Sequence, residues 1–488
     1  MTSVRRALAI SFVERYALIA LSLASNILIA RLLSPEEIGL YSVSLAVIGI
    51  AQVLRDFGVG GYLIQEKNLT QEHIRTAFGV SLLMGGMLFL LAFFGASLAG
   101  RIYGELRMVE TLRICAFNFL ILPFCTVSLA LLRREMQFQK VLYVTLTATA
   151  IGFVITIALA YSGYGANSMA FGTLVTNLVT GSCAWLARGA KTIMLPSLTQ
   201  WRIVASFGAQ RSAASIACTT SNDMIELVTG KILGFASVAM LSRAQGLMNL
   251  FQRDLMSAIS NVAYPAFARS YREGNDVELQ HINSIGAITV VAWPFYSFLA
   301  LFPLEMLRLL FGTQWDAAAH LVPWYCLAGA VFTPCYLIIP VLTSIGRIDV
   351  AMKIELVVQP LRAVFIILGL IVLPHINTLP ILYTIAAVCA APYYYLMKEK
   401  VLPTRTIQFW QILARSGIVT AISLSAPLIL SIYLRQNGAI EFWGLVTAAM
   451  SCFALWILGL FLANHPLYHD PVFLGAVRRM KAFLRFGI

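Results

Sequence analysis

The sequence predicts an all-α polytopic membrane protein, and three observations lead there. Hydrophobic residues make up 59% of the 488, and charged residues only 12%. A soluble domain carries roughly 25% charged residues, so this chain cannot coat a water-facing surface of its size. The charges also fall in short clusters between long apolar stretches, and mean hydropathy is +0.81. These features exclude a soluble enzyme, a disordered chain and a nucleic-acid binder, so no nucleic-acid partner is expected.

A membrane helix needs roughly 20 mostly apolar residues. About 14 stretches qualify: 8–30, 38–62, 76–99, 110–131, 141–161, 167–187, 203–229, 236–264, 282–311, 318–344, 351–373, 377–396, 409–433 and 442–463. The first follows Arg5 and Arg6 and runs to Arg31 without a small-residue cleavage site, so it reads as a span rather than a cleaved leader. The seventh is the most polar, interrupted by Arg211, Asp223 and Glu226. Connections are short throughout. The tail 464–488 is basic and partly amphipathic, which suits the surface of the inner leaflet.

The net charge of +13 is mostly topology. With the N-terminus in the cytoplasm, 21 of the 35 Lys and Arg residues fall on the cytoplasmic side, 7 outside and 7 within spans. A threefold excess obeys the positive-inside rule and predicts an even number of spans with both termini cytoplasmic.

An internal repeat divides the chain. At an offset of 200, Ala30-Arg31-Leu32-Leu33 matches Gly230-Lys231-Ile232-Leu233, Ile38 matches Val238, Ser42 matches Ser242 and Gln52 matches Gln252. Arg55-Asp56 recurs as Arg253-Asp254 after a two-residue slip. Spans 1–6 and 7–12 are then two copies of one unit. An even count makes them parallel repeats about an axis along the membrane normal. The expected organisation is a six-helix lobe over 1–200, a second over 201–400, and two extra helices with the basic tail over 401–488.

Charge at membrane depth costs several kcal/mol and is usually paired or faces water. The first two spans of each repeat carry Glu14, Arg15, Arg55, Asp56, Arg211, Asp223, Glu226, Arg243, Arg253 and Asp254, whereas spans 3 to 6 carry almost none. Those four helices are the expected cavity lining. Arg15, Arg55, Arg211, Arg243 and Arg253 suggest an anionic cargo, because the guanidinium fork fits phosphate or carboxylate. Glu14, Asp56, Asp223, Glu226 and Asp254 are candidates for taking up and releasing a coupling ion. The competing explanation is that the Arg-Asp pairs only pin helix ends. Glu355, Arg362 and Arg415 add charges to spans 11 and 13.

Other features read as ordinary membrane-protein structure. The eight cysteines lie inside spans without a Cys-x-x-Cys spacing, as small apolar residues do. His465 and His469 have metal-ligand spacing, but Pro466 lies between them and no third ligand is near, so no metal site is expected. Asn68-Leu69-Thr70 fits the glycosylation pattern but falls on the cytoplasmic side. No phosphate-binding loop is present, so the chain is not read as an ATPase.

The run Arg31-Leu32-Leu33-Ser34-Pro35-Glu36-Glu37-Ile38-Gly39-Leu40-Tyr41 resembles the first connection of Wzx-type polysaccharide flippases. These form the PST branch of the MOP superfamily, which also holds the MATE drug exporters and the lipid II flippase. Asp56-Phe57-Gly58-Val59-Gly60 with Ile64-Gln65 resembles the end of their second span. In the second half, similar pieces are Asn222-Asp223, Gly230-Lys231-Ile232-Leu233-Gly234, Ser242-Arg243-Ala244, Pro265-Ala266-Phe267-Ala268-Arg269 and the turn Phe311-Gly312-Thr313-Gln314-Trp315. The resemblance runs from about residue 5 to 400. It departs from the family in the polar seventh span.

The resemblance implies a MATE-like fold of two six-helix bundles around a central cavity. It implies translocation of polyprenyl-pyrophosphate-linked oligosaccharide from the cytoplasmic to the outer leaflet of the bacterial inner membrane. The product would feed lipopolysaccharide O-antigen, capsule or exopolysaccharide assembly. Transport would be by alternating access coupled to H⁺ or Na⁺, with no other cofactor. Membrane lipids, a polysaccharide polymerase and a chain-length regulator are the implied partners. Two other readings stay open: a MATE-like multidrug exporter, which would favour an acidic cavity, and a non-enzymatic partner of a polysaccharide synthase complex. A membrane ligase, polymerase or glycosyltransferase is disfavoured, because the chain has neither a long outer loop nor an Asp-x-Asp.

Overall fold

The computed structural model describes residues 17–18, 20–56, 59–189, 195–199, 201–436 and 442–469, except for the side chains at 50, 53–56, 203–218, 253–254, 258 and 469. These residues are almost wholly helical, and no strand occurs among them. The chain divides into two compact units, Met1–Ala239 and Met240–Ile488.

The first unit holds α1 (Ala20–Leu32), α2 (Pro35–Asp56), α3 (Val59–Gln65), α4 (Gln71–Tyr103), α5 (Leu106–Ala116), α6 (Asn118–Arg134), α7 (Phe138–Tyr161), α8 (Ala166–Arg188) and α9 (Trp201–Leu233). The motif Ser34-Pro35-Glu36-Glu37 is a capping box. The Ser34 amide donates to Glu37 Oε2 at 2.9 Å, and the Glu37 amide donates to Ser34 Oγ at 3.3 Å. Pro35 occupies the first helical position, where its missing N–H costs nothing. Gly104 ends α4 at φ +72°, a left-handed turn that sends the chain straight into α5. The core gathers Leu40, Tyr41, Met108, Leu112, Phe119 and Val238.

Two glycines let α7 and α8 close on each other. A Cβ on Gly152 would lie 1.8 Å from Thr176 Oγ1, and one on Gly172 would lie 1.7 Å from Thr156 Oγ1. Each threonine donates to the carbonyl of the glycine on its own helix at 2.8 Å. Small residues at such crossings let membrane helices gain packing contact that lipid cannot compete with. The repeat assigns α9 to the second lobe. Among the compact units α9 lies in the first, packed along α2.

The second unit begins within α10 (Phe235–Asn249). It continues through a π-helical turn (Leu250–Leu255), α11 (Met256–Arg272), α12 (Val277–Leu301), α13 (Pro303–Phe311) and a 3₁₀ segment (Thr313–Leu321). Then follow α14 (Val322–Phe332), α15 (Ile338–Ser344), α16 (Ile348–Val372), α17 (Thr378–Glu399), α18 (Thr406–Gln436) and α19 (Phe442–Leu462). The predicted span 318–344 is broken into α14 and α15 by a 3₁₀ turn at Thr333–Cys335, which contains Pro334. A buried ionic cluster ties the start of α12 to the end of α17: Lys398 Nζ lies 2.5 Å from Glu278 Oε2, and His281 Nδ1 lies 3.6 Å from the same oxygen.

Among the described residues, ten segments are long and apolar enough to cross a membrane, and they match ten of the expected stretches one for one. The expected count of 14 is therefore met only in part. The other four stretches are 8–30, 38–62, 203–229 and 236–264, which correspond to α1, α2–α3, α9 and α10–α11. Only the short helix Ala20–Leu32 is described for the first. The other three carry the ionisable residues, which lower their mean hydropathy. Outward faces of the ten are apolar, as on α4, where Leu91, Phe94 and Leu98 are exposed. The chain is a multi-pass membrane protein. Seven cysteines are free, four of them buried, while Cys389 is exposed on α17 and Cys218 lies outside the described side chains.

Candidate functional site

Of the ten predicted site residues, three have described side chains. Glu14 and Arg15 lie outside the described residues. Arg55 and Asp56 fall in the last turn of α2, and Arg211 falls on α9; their side chains lie outside the description. Arg253 and Asp254 sit in the π-helical turn, likewise without described side chains. Single π turns inside helices recur at functional sites because they reset the helical register. Here one coincides with the charged pair picked out by the repeat.

Asp223 and Glu226 stand one turn apart on α9, both partly buried. Asp223 fits a notch in α2: a Cβ on Gly49 would lie 2.3 Å from Asp223 Oδ2. That oxygen is buried and has no hydrogen-bond partner among the described residues. A buried carboxylate oxygen without a donor is a natural seat for a proton or small cation.

Arg243 belongs to the second unit. Its guanidinium lies 5.1 Å from the ring centroid of Phe311 and 5.2 Å from that of Trp315. The two aromatic residues belong to α13 and the following 3₁₀ segment, and Trp315 is fully buried. This arrangement is a cation–π stack. The structure brings Asp223 near Glu226 in the first unit and places Arg243 in an aromatic setting of its own in the second.

The second unit also contains a cavity of about 400 Å³. Its polar wall is Glu355, Gln359 and Arg362 on α16, faced by Tyr383 and Tyr394 on α17 and by Gln252 from the π turn. Tyr394 Oη donates to Glu355 Oε1 at 3.0 Å, and Gln359 Nε2 donates to Glu355 Oε2 at 2.8 Å. Arg362 lies 5.3 Å from the Tyr383 ring centroid. Both oxygens of a carboxylate at membrane depth are thus held by neutral donors, a setting that can exchange a proton or bind a cation. Sequence reading noted Glu355 and Arg362 as charges in a span but not as a site. Their signal was the i, i+4, i+7 spacing of Glu355, Gln359 and Arg362, which puts all three on one helix face. The Tyr394 partner lies 39 residues away and could not be read from spacing.

The fold defines the class of protein. The lipid II flippase MurJ in an inward-closed conformation superposes with a TM-score of 0.74, covering 96% of this chain and 99% of that one at 14% identity. An inward-facing multidrug-resistance MATE family transporter of the MOP superfamily superposes at 0.61, covering 78% and 94% at 16% identity. The chain thus has the helical membrane fold of the MOP superfamily.

The chain belongs to the polysaccharide biosynthesis protein family, whose sequence model matches residues 28–320. It is 22% identical over 347 residues to the lipopolysaccharide biosynthesis protein WzxC of Escherichia coli strain K12, covering 70% of each chain. It is 25% identical over 324 residues to the succinoglycan biosynthesis transport protein ExoT of Rhizobium meliloti strain 1021, covering 66% of this chain and 65% of that one. The teichuronic acid biosynthesis protein TuaB of Bacillus subtilis strain 168 is 20% identical over 303 residues, covering 62% and 63%. The chain is thus a relative of the Wzx-type flippases, as the motifs around Arg31 and Phe311 suggest, and both motifs lie within the matched region.

Proposed function

We propose that this protein moves polyprenyl-pyrophosphate-linked oligosaccharide units from the cytoplasmic to the outer leaflet of a bacterial inner membrane, for assembly of O-antigen, capsule or exopolysaccharide. The family match over residues 28–320 carries this reading, since the named relatives serve lipopolysaccharide, succinoglycan and teichuronic acid synthesis. The chain works as a transporter rather than an enzyme. It has 14 membrane helices in two six-helix lobes, 1–200 and 201–400, followed by two extra helices and a tail over 401–488, with both termini cytoplasmic. Arg15, Arg55, Arg211, Arg243 and Arg253 attract the pyrophosphate. The transport cycle is alternating access driven by H⁺ or Na⁺. Asp223 and Glu226 in the first unit and Glu355 in the second are the carboxylates whose surroundings favour an ion-coupling role, and Glu14, Asp56 and Asp254 are further candidates on their sequence positions alone. A polymerase and a chain-length regulator would receive the product.

The test is deletion of the gene followed by extraction of lipid-linked oligosaccharides, with complementation by wild type, Arg55→Ala, Arg211→Ala and Arg253→Ala. The expected result is accumulation of the complete repeat unit on its carrier, facing the cytoplasm, with each Ala variant complementing at least about tenfold less well. Normal arrival of the lipid-linked unit at the outer face would overturn the reading.

A further inference from the structure

Three spans of the first unit, α4, α6 and α8, line two neighbouring hollows that the proposed transport cycle does not use. The first is an apolar groove of about 580 Å³, with walls that include Phe78, Leu120, Phe124, Leu178, Trp185 and Leu186. One turn further along the same helices, from Phe78 to Ile74, Ser128 to Leu131 and Trp185 to Arg188, a second hollow of about 680 Å³ opens. That one is polar and holds four cations, Lys67, Arg134, Lys140 and Arg188, against the single carboxylate of Glu135.

Two of the four cations are held in place. Arg134 Nη1 donates to the Leu63 carbonyl at 2.8 Å, and Lys140 Nζ donates to the Ala187 carbonyl at 2.9 Å. Glu135 is occupied in part by Gln137, whose Nε2 donates to Oε2 at 2.7 Å. Arg188 Nη1 is buried and has no hydrogen-bond partner among the described residues. A buried guanidinium N–H without an acceptor is costly, and an anionic oxygen would satisfy it.

We propose that these two hollows together bind an anionic glycerophospholipid, with its phosphate among Arg188, Lys140, Arg134 and Lys67 and one acyl chain in the groove. Length decides between this lipid and a polyprenyl phosphate. From Leu178 to Leu186 the groove runs about 12 Å at 1.5 Å per residue, close to the roughly 15 Å depth of one leaflet of a ~30 Å hydrocarbon core. That depth suits an acyl chain and leaves most of a polyprenyl tail outside. The charge count puts the cationic end on the cytoplasmic side, where anionic lipid headgroups favour basic pockets. The site is independent of the cargo reading.

The test uses full-length protein in detergent and native mass spectrometry with phosphatidylglycerol, phosphatidylcholine and polyprenyl phosphate. Phosphatidylglycerol is expected to bind, and the double variant Lys140→Gln/Arg188→Gln is expected to weaken it about 25-fold, roughly fivefold per cation. Ser182 is exposed on the groove wall, so Ser182→Trp is expected to fill the groove and weaken binding while leaving the thermal midpoint unchanged. Equal binding of phosphatidylcholine, or unchanged binding by the double variant, would overturn the headgroup site. Unchanged binding by Ser182→Trp would overturn the groove. Capture of polyprenyl phosphate that is tighter than that of phosphatidylglycerol and is lost in the double variant would overturn the choice of lipid.

Discussion

The guanidinium of Arg243 lies over the ring of Trp315, 5.2 Å from its centroid, with Phe311 at a similar distance. Two family-like motifs more than 60 residues apart, Ser242-Arg243-Ala244 and Phe311-Gly312-Thr313-Gln314-Trp315, therefore meet in one stack. Residues that look like separate signatures in sequence are parts of one contact.

Removing either partner should be felt as stability. Trp315→Ala empties a fully buried site and is expected to cost ~3–5 kcal/mol, seen as a lower thermal midpoint in detergent. Arg243→Lys keeps the charge but loses the planar stack and is expected to cost ~0.5–2 kcal/mol. An unchanged midpoint would mean that the stack does not hold this part of the fold, and a loss of transport larger than the loss of stability accounts for would mark the part Arg243 takes in holding cargo.

Glu355 should carry ion dependence rather than stability. Glu355→Gln retains a side chain able to pair with Tyr394 and Gln359, and is expected to change stability by less than about 1 kcal/mol. Translocation in proteoliposomes should lose its response to an imposed H⁺ or Na⁺ gradient. Tyr394→Phe should cost ~0.5–1.5 kcal/mol and leave the gradient response in place. A gradient response that survives Glu355→Gln would exclude this carboxylate.

The Lys398–Glu278 pair should show strong non-additivity. Both side chains are nearly inaccessible, so Lys398→Met leaves a buried uncompensated carboxylate and should cost ~3–5 kcal/mol. Adding Glu278→Gln is expected to recover most of that loss. A double-mutant cycle on thermal unfolding measures the coupling, and simple additivity would mean the pair is not formed.

His465 predicts a pH dependence. Its Nδ1 accepts from the Leu467 amide at 3.2 Å, and Nε2 lies 3.3 Å from Ser416 Oγ, which in turn meets Thr289 Oγ1 at 2.9 Å. Protonating Nδ1 would break the first of these bonds. Burial, then the charge of Arg415, pushes the imidazole down from its ordinary 6.5 to about 4. Between these values the unfolded chain binds the extra proton and the folded chain does not, so stability falls as pH drops from 6.5 towards 4. The loss is at most about 3 kcal/mol. Thermal midpoints from pH 7 to 4.5 should fall in the wild type and fall less steeply in His465→Gln. Equal slopes would remove His465 from the account.

Much of the fold was legible because hydropathy adds up locally. Ten predicted spans coincide with ten helical segments, and the four that fall short are α1 and the helices in which Arg55, Asp223 and Arg253 were noticed. The Ser34-Pro35-Glu36-Glu37 start of α2 also stands in four consecutive residues. The site was less legible. Glu355 stood out only as a charge, because the tyrosine that holds it comes from another helix. The groove over Arg188 was invisible, because its walls are ordinary apolar residues of three helices and its cations counted only towards orientation.

By itself the sequence determined a membrane-embedded helical chain and its family likeness. These follow from composition, period and short motifs, quantities carried by neighbouring residues. Tertiary structure decided that α9 packs on α2, that the Gly49 notch receives Asp223, that Arg243 stacks on Trp315, and that a cavity opens beside Glu355. Each of these depends on which distant side chains meet, and at what fraction of an ångström their surfaces fit. Such contacts come from close packing between helices, which no local pattern along the chain encodes.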